Sequence, residues 1–320
     1  MVKNLKDLMK KFSDETKCRE MLIQQRWNGS PVCPYCNHTK YYVIEGGKRF
    51  KCANQTCYKK YSVTVGTVFE ASNIPLTTWF PAMYLIASHK KGISSIQLSK
   101  DLGVTQKTAW FMLHRIRESL KDNHSNMLGG IVQADETFVG GINKNRHKSK
   151  KHFDQTGKEY DIKAPVMGAI ETGGKVKTRV INAVTKKNAT SFISDNVQSG
   201  VTLVTDSHPS YFKVGNRYEH KIINHSHGQF VVNGFHTNGI ENYWSVLKRG
   251  IYGIYHQVSP KHLQRYCDEF AYRFNSRDIK DGARFEIVLT GLQGRLKYAD
   301  LIAKPKTEDN TPFIETGDEI

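Results

Sequence analysis

Two sets of side chains in this sequence have types and spacings suited to chemistry. The first is Cys33-Pro-Tyr-Cys36 and Cys52-Ala-Asn-Gln-Thr-Cys57, a C-x2-C and a C-x4-C pair set fifteen residues apart. Two tight knuckles separated by a hairpin's length bring four thiolates around one tetrahedral zinc. Two disulfides are the alternative, which a reducing compartment disfavours, and an iron cluster is the remaining option. A site closed by four cysteines keeps no open coordination position, so such a metal folds its module and does not catalyse. The second set is acidic: Asp135 and Asp206 each follow a short apolar run, and Glu241 stands near the start of GIENYWSVLKRG. Taken singly, an Asp after a strand is a turn or cap residue, and only the joint placement carries weight. Clustered carboxylates repel unless a cation neutralises them. Hard oxygen ligands suit magnesium or manganese, which activates a nucleophilic water and stabilises the leaving oxygen of a phosphodiester. Glu136 rivals Asp135, because strand alternation cannot choose between neighbours until the buried face is known, and Asn242 and His236 are weaker rivals to Glu241.

The elements that must position the cysteines are short. Tyr41-Tyr42-Val43-Ile44, Arg49-Phe50-Lys51 and residues 61–65 read as strands, with Gly46-Gly47 as a hairpin turn, which together make a zinc ribbon. Lys48, Arg49, Lys51, Lys59 and Lys60 either meet phosphates or form a solvated basic face. Cys18 and Cys267 lack sequence partners, and Cys267, among Leu263, Tyr266, Phe270, Ala271 and Phe274 at helical spacing, reads as packed core. From Ile93 a short helix pattern is broken by Gly103 and followed by a longer one whose apolar stripe is Ala109, Leu113, Ile116 and Leu120. Thr105 is the expected N-cap of that second helix. This is helix-turn-helix organisation, with Gln106 and Lys107 offered to a major groove, although a helical hairpin with only a packing role fits the same pattern. His114, Arg115 and Arg117 read as solvated.

Around the acids, the strand from Ile131 ends at Asp135, and residues 142–152 form a basic insert holding Lys144, Arg146, Lys148, Lys150 and Lys151. Strands are expected at 166–170 and 176–184, a helix at 189–197, and a strand at 201–206 ending in Asp206. Ser207-His208-Pro209 then turns into a short helix, a strand follows at 221–224, and Ile240, Trp244 and Leu247 mark the helix that carries Glu241. Lys248 stands two turns beyond the glutamate, about 10 Å away, on the same face. Such an order of elements can gather three carboxylates into one pocket. Gly250 and Gly253 are expected to loosen the chain, after which Ser259-Pro260 opens a helix carrying Leu263, Tyr266, Phe270 and Phe274 that packs on the sheet. His256 and His262 are assigned to solvent or packing, and the acidic stretch 307–320 to a disordered or loosely docked end.

At 320 residues the chain suits two or three domains, and no apolar run approaches the roughly 18 to 20 residues of a membrane span. The start, MVKNLKDLMKKFSDE, lacks the apolar core of a secretory signal, so a cytoplasmic protein is expected. With 47 Lys and Arg against 30 Asp and Glu, the net charge of +17 points to a polyanionic partner but names no reaction.

ADETFVGG, VTDSHPSY and HTNGIENYWSVLKRGIYGIYHQVSPKHLQRYCDEFAYRFNSR resemble the insertion-sequence transposases of the DDE superfamily, in the ISXO-like group, over roughly residues 15 to 280. The resemblance implies an α/β chain in which a zinc ribbon and a helix-turn-helix-like segment precede a ribonuclease H-like mixed-sheet catalytic domain. The expected domains are 1–70 for the N-terminal helix and zinc ribbon, 71–125 for the helical DNA-binding segment, 126–280 for catalysis and 281–320 for a C-terminal extension. By position it makes Asp135 and Asp206 the catalytic aspartates, in preference to Glu136, and Glu241 the third acid. Some relatives place asparagine or another residue there; this chain keeps glutamate. Lys248 becomes the basic residue of the terminal motif, contacting DNA near the scissile phosphate, and Gln106, Lys107, Lys144, Arg146, Lys148 and Arg249 are further expected DNA contacts. The implied chemistry is magnesium- or manganese-dependent hydrolysis exposing 3′-hydroxyls at element ends, then in-line attack on target DNA without a covalent enzyme intermediate. Double-stranded DNA is the expected partner, bound by a homo-oligomer in a prokaryotic, nucleoid-associated setting. Two rivals are a DNA-binding regulator without activity, which has no need of three clustered acids, and a nuclease of the same fold that cuts without joining.

Overall fold

The computed structural model describes residues 2–121, 126–141, 143–145, 147–153, 156–157, 163–212, 214, 217–224, 228 and 230–303. The chain divides into two compact units, one within residues 1–121 and 278–303 and the other within 122–277.

The first unit opens with α1 (Leu5–Lys11) and α2 (Glu15–Trp27), capped by Asn4 and by Asp14, whose carboxylate accepts from the amides of Thr16 and Lys17. Strands β1 (Tyr41–Ile44), β2 (Arg49–Cys52) and β3 (Lys60–Tyr61) form an antiparallel sheet in which Tyr41 pairs with Cys52 and Phe50 with Tyr61. Gly46 and Gly47, at φ 61° and 82°, supply the left-handed backbone of the expected turn. β3 is shorter than the sequence pattern suggests, because the Val65 amide turns back onto the Ser62 carbonyl at 3.2 Å. Helix α3 (Leu76–Ser88) has no counterpart in the sequence reading: it is buried along nearly its whole length, so it shows no amphipathic period. α4 (Ser95–Leu102) ends at Gly103 with φ 65°, and α5 (Gln106–Ser119) starts at Thr105, whose hydroxyl accepts from the Thr108 amide at 3.2 Å. The predicted stripe Ala109, Leu113, Ile116 and Leu120 is buried. His114, Arg115 and Arg117 are buried too, which corrects the solvated assignment. α5 is covered by more than one neighbour, and the Arg115 guanidinium lies over the Phe111 ring at 5.1 Å and the Trp79 ring at 5.9 Å.

The second unit contains β4 (Ile131–Val139), β5 (Ala164–Glu171), β6 (Val176–Val180), α6 (Lys186–Asn196), β7 (Thr202–Asp206), β8 (Glu219–Ile223), α7 (Asn238–Gly250) and α8 (Pro260–Asn275). The sheet order is β6-β5-β4-β7-β8; β4 pairs antiparallel with β5 and parallel with β7, and β8 runs parallel to β7. One face packs Val132, Ala134, Met167, Ala169 and Leu203 against Phe192 and Ile193 of α6. The other packs Val166, Ile170 and Val176 against Ile240, Trp244 and Leu247 of α7 and Leu263, Cys267 and Phe270 of α8. A mixed sheet with helices on both faces is consistent with the ribonuclease H-like architecture implied by the resemblance. α8 also fastens edge strand β6: Gln264 Oε1 accepts from the Val180 amide and Asn275 Oδ1 from the Val176 amide, each at 2.7 Å.

Three expectations are corrected here. β4 does not end at Asp135 but runs to Val139, with Asp135 opposite Gly168, since Thr137, Phe138 and Val139 continue the pairing with β5. β6 stops at Val180, short of 184. Gly250 does not loosen the chain: it is the buried last residue of α7, a Cβ there would lie 2.0 Å from the Phe270 ring, and the helix passes into a π turn at Ile251–Tyr255. Ser259 takes the N-cap position of α8 as expected, but its side chain makes no capping bond.

Helices α9 (Asp281–Thr290) and α10 (Tyr298–Ile302) return to the first unit, where Phe285 packs against the rings of Phe12, Phe80 and Tyr84. Gly282 allows the Val2 carbonyl to approach, since a Cβ would sit 1.8 Å from its oxygen. Among the described residues no helix is long and apolar enough to cross a membrane. The acidic stretch 307–320 lies outside the described residues.

Candidate active site and metal centre

The two cysteine knuckles close on one point. The Sγ atoms of Cys33, Cys36, Cys52 and Cys57 all lie within 4.8 Å of one another, with Cys33 to Cys57 at 3.8 Å and Cys36 to Cys52 at 3.5 Å. Four sulfurs about 2.3 Å from a tetrahedral zinc stand about 3.8 Å apart, so the donor set fits that ion. Backbone turns hold each knuckle: the Asn37 amide donates to the Cys33 carbonyl at 2.9 Å, and the Cys57 and Tyr58 amides to the Asn54 carbonyl at 3.0 and 2.9 Å. Cys267 is buried in the second unit's core, as its helical spacing suggests, and burial raises its thiol pKa.

Asp135 lies at the centre of β4 on the face covered by α7. Gln133, two residues earlier, shares that face, and its Oε1 accepts from the Gly239 and Ile240 amides at 2.8 and 3.2 Å. Those amides belong to the first turn of α7, ahead of the regular helical ladder, and the Ile240 amide is shared with the Thr237 carbonyl at 3.1 Å. One turn later Trp244 Nε1 donates to Asp135 Oδ2 at 2.9 Å. The indole can lie on the sheet because residue 168, opposite Asp135 on β5, is glycine: a Cβ there would come within 2.5 Å of the Trp244 ring.

Asp206 ends β7. The parallel ladder between β4 and β7 runs from Ile131 opposite Thr202 to Ala134 opposite Thr205, so the next rung sets Asp206 beside Asp135 on the same face. Asp206 Oδ1 accepts from the His208 amide at 3.0 Å, an Asx turn that fixes the carboxylate as the chain leaves the sheet. Burial, then the charges of Glu136 and Asp206, push the Asp135 carboxyl up to about 7. Glu136 points to the opposite face, where its Oε2 accepts from the Tyr211 hydroxyl at 2.6 Å and His208 Nδ1 lies 3.8 Å from Oε1. Burial pushes Glu136 up to about 7, against the Tyr211 hydrogen bond and with help from Asp206.

The structure brings Asp135 and Asp206 together but does not bring all three acids into contact. Glu241 is exposed in the first turn of α7, and its Oε1 accepts from Thr237 Oγ1 at 2.6 Å. Among the described residues the four cysteines are the only group of three or more Cys, His, Asp or Glu side chains whose ligand atoms converge. Glu241 nevertheless sits between the two anchors of α7, next to Ile240 and three residues before Trp244. Lys248 is half-buried in the last turn of α7, and Arg249 beside it is exposed with Nε donating to the Ser245 carbonyl at 3.1 Å. In the first unit Gln106 and Lys107 are exposed; Gln106 donates to Ser95 Oγ at 2.8 Å, and the Lys107 ammonium lies 5.1 Å from the Tyr298 ring. Lys144 and Lys148 are exposed in two short turns, Asn143–Asn145 and Lys148–Lys150, and the Asn143 side chain bonds the His152 backbone in both directions at 2.9 Å. Arg146 lies outside the described residues. The rivals His236 and Asn242 are half-buried and exposed, respectively.

Sequence reasoning missed Gln133, Gly168, Thr237 and Tyr211. Only Gln133 carried a signal: it is a polar residue two positions before the acid in an otherwise apolar strand, and so shares the acid's face.

Comparison with known proteins matches residues 127–275 to the ISXO2-like transposase domain and residues 13–60 to the transposase zinc-ribbon domain. The chain is 26% identical over 279 residues, covering 83% of its own length and 92% of the relative, to an uncharacterized protein in transposable element ISH50 of Halobacterium salinarum. It is 31% identical over 107 residues, 33% of its length and 85% of the relative, to an uncharacterized transposase-like protein of Haemophilus influenzae.

Proposed function

This chain belongs to the ISXO2-like transposase family, and we propose that it cuts DNA at the ends of its element and joins the freed 3′-hydroxyls to target DNA. The observation that carries this reading is the pair Asp135 and Asp206, adjacent on one face of the sheet beneath the helix that bears Glu241. Asp135, Asp206 and Glu241 would hold magnesium or manganese, which would supply activation of the attacking oxygen and neutralisation of the leaving one. Side-by-side acids with a raised Asp135 pKa suit such a cation, because an isolated pair of this kind is costly to ionise.

The chain's own groups do the positioning. Trp244 Nε1 holds one oxygen of Asp135, while the Asx turn at His208 orients Asp206. Lys248 and Arg249, on the same helix as Glu241, hold phosphates near the cut, with Lys144, Arg146 and Lys148 of the basic insert further along the strand. Gln106 and Lys107 at the start of α5 contact the duplex, and a structural zinc on the four cysteines folds the ribbon. A homo-oligomer assembled on DNA holds both element ends.

The test is incubation of the native protein and Asp206→Asn with labelled DNA carrying the flanks of its own gene, with and without magnesium, resolved on a denaturing gel. Metal-dependent cuts at defined ends plus joined products, absent in the variant, are expected. Specific binding without cutting by either protein would make it a regulator, and cuts without joined products a nuclease.

A further inference from the structure

One face of the zinc ribbon is unaccounted for by the metal site. Tyr41, Phe50 and Tyr61 point inward with Trp27 and the cysteines. Alternation therefore sends Tyr42, Lys51 and Lys60 to the other face, where Tyr42 is directly opposite Lys51 and Lys51 directly opposite Lys60. The Lys51 ammonium lies 4.5 Å from the Tyr58 ring centre and so extends this row, while at the knuckles the Lys59 ammonium lies 4.8 Å from the ring centre of Tyr35. Tyr35, Tyr42 and Tyr58 are 49%, 56% and 45% exposed, so three large rings alternate with lysines on open surface. Between Cys33 and Tyr61 the sequence carries six Lys and Arg against one acid, Glu45.

Tyr58 adds a second observation. It follows the last cysteine at φ 48°, in the left-handed region, while the matching place after Cys36 is taken by Asn37 at φ 58°. Asparagine adopts that conformation at little cost and a bulky aromatic does not. A tyrosine held there against backbone preference, with its ring exposed, points to a use for the ring.

We infer that this face binds single-stranded DNA, with unpaired bases stacked on Tyr42 and Tyr58 and the phosphates met by Lys51 and Lys60. A duplex hides its base faces, so exposed rings gain a stacking partner only where strands are separated, and each lysine can leave its ring for a phosphate as a base arrives. The inference rests on the reading of the chain as a DNA-processing protein and specifies what its ribbon holds.

The experiment measures binding of zinc-loaded full-length protein to a fluorescent 20-nucleotide thymidine oligomer and to a duplex of equal length, in buffer without magnesium. Cutting plays no part in this readout, so its result is separate from that of the cleavage assay. Tyr58→Asn should keep its zinc, melt at or above the native temperature because the backbone is relieved, and bind the single strand about 5- to 100-fold more weakly with duplex affinity unchanged. Tyr42→Ala, on a strand away from the knuckles, should weaken single-strand binding in the same range and keeps the test valid if the Tyr58 variant loses zinc. Unchanged single-strand affinity in both variants, or an equal loss for single strand and duplex, would overturn the inference.

Discussion

Replacing Asp135 with Asn removes a charge that the fold makes costly while leaving an amide oxygen to accept from Trp244 Nε1, which now lies 2.9 Å from the carboxylate. Burial and the neighbouring acids push this carboxyl from its ordinary 3.8 to about 7. At about 1.4 kcal/mol per tenfold, that displacement sets about 4 kcal/mol against the ionised folded state, and relaxation of the pocket brings the expected gain to about 2 to 4 kcal/mol. The sign follows from which state holds the proton. Below the ordinary value the carboxyl is neutral in both folded and unfolded chains and contributes nothing. As pH rises from about 4 to about 7 the unfolded chain ionises first, so the folded state loses stability, and above about 7 the whole deficit is present. Metal-free Asp135→Asn should therefore melt about 5 to 15 °C above the native protein near pH 8, with the gap closing toward pH 4. On the proposed reading, magnesium, which the native carboxylates would bind and the amide would not, should narrow the gap at pH 8. Thermal melts followed by circular dichroism, in EDTA and in magnesium across this range, read all three effects. A variant that melts at or below the native protein at pH 8, or a gap that ignores pH, would refute a buried charge beside Asp206.

Other substitutions address the remaining parts. Cys33→Ser should lose zinc and melt the ribbon, and full zinc content by metal analysis in that variant would rule out the four-thiolate site. Gly168→Ala should cost about 1 to 3 kcal/mol and shift tryptophan fluorescence, because the added methyl meets the Trp244 ring at 2.5 Å; an unchanged melt would mean that α7 does not rest on β5 as described. Lys248→Ala should leave the melting temperature alone and lower end cleavage about tenfold at moderate salt, whereas full activity would make Lys248 a solvated helix residue.

The zinc ribbon was legible because its constraints are local: cysteine spacing, two glycines and short alternating strands. The stripe of α5 was legible for the same reason, but its charged residues were not. Reading His114, Arg115 and Arg117 as solvated assumes a helix covered on one side only, and α3, which covers another, is too uniformly apolar to announce itself by period. Residues 278–303 join the first unit across more than a hundred and fifty residues of the second, a pairing that no local pattern encodes. The strand through Asp135 was cut short at the acid because a charge in an apolar run reads as an ending. The pairing of residues 137–139 with β5 overrides that preference.

The choice between Asp135 and Glu136 shows where the information lay. The two acids are adjacent, so they face opposite sides of β4, and which side holds a pocket depends on what covers each. Gln133 gives its carbonyl oxygen to two amides at the head of α7, and Trp244 reaches the carboxylate of Asp135 one turn along. These two tethers fix the helix over Asp135 and place Glu241 between them, while Glu136 is taken up on the far side by Tyr211. The position of the Glu241 backbone is thus set by the fold. Its carboxylate accepts from the Thr237 hydroxyl within its own turn. On the proposed reading, the third acid would join the aspartates by giving up its Thr237 bond for the cation, while Gln133 and Trp244 hold the helix that carries it.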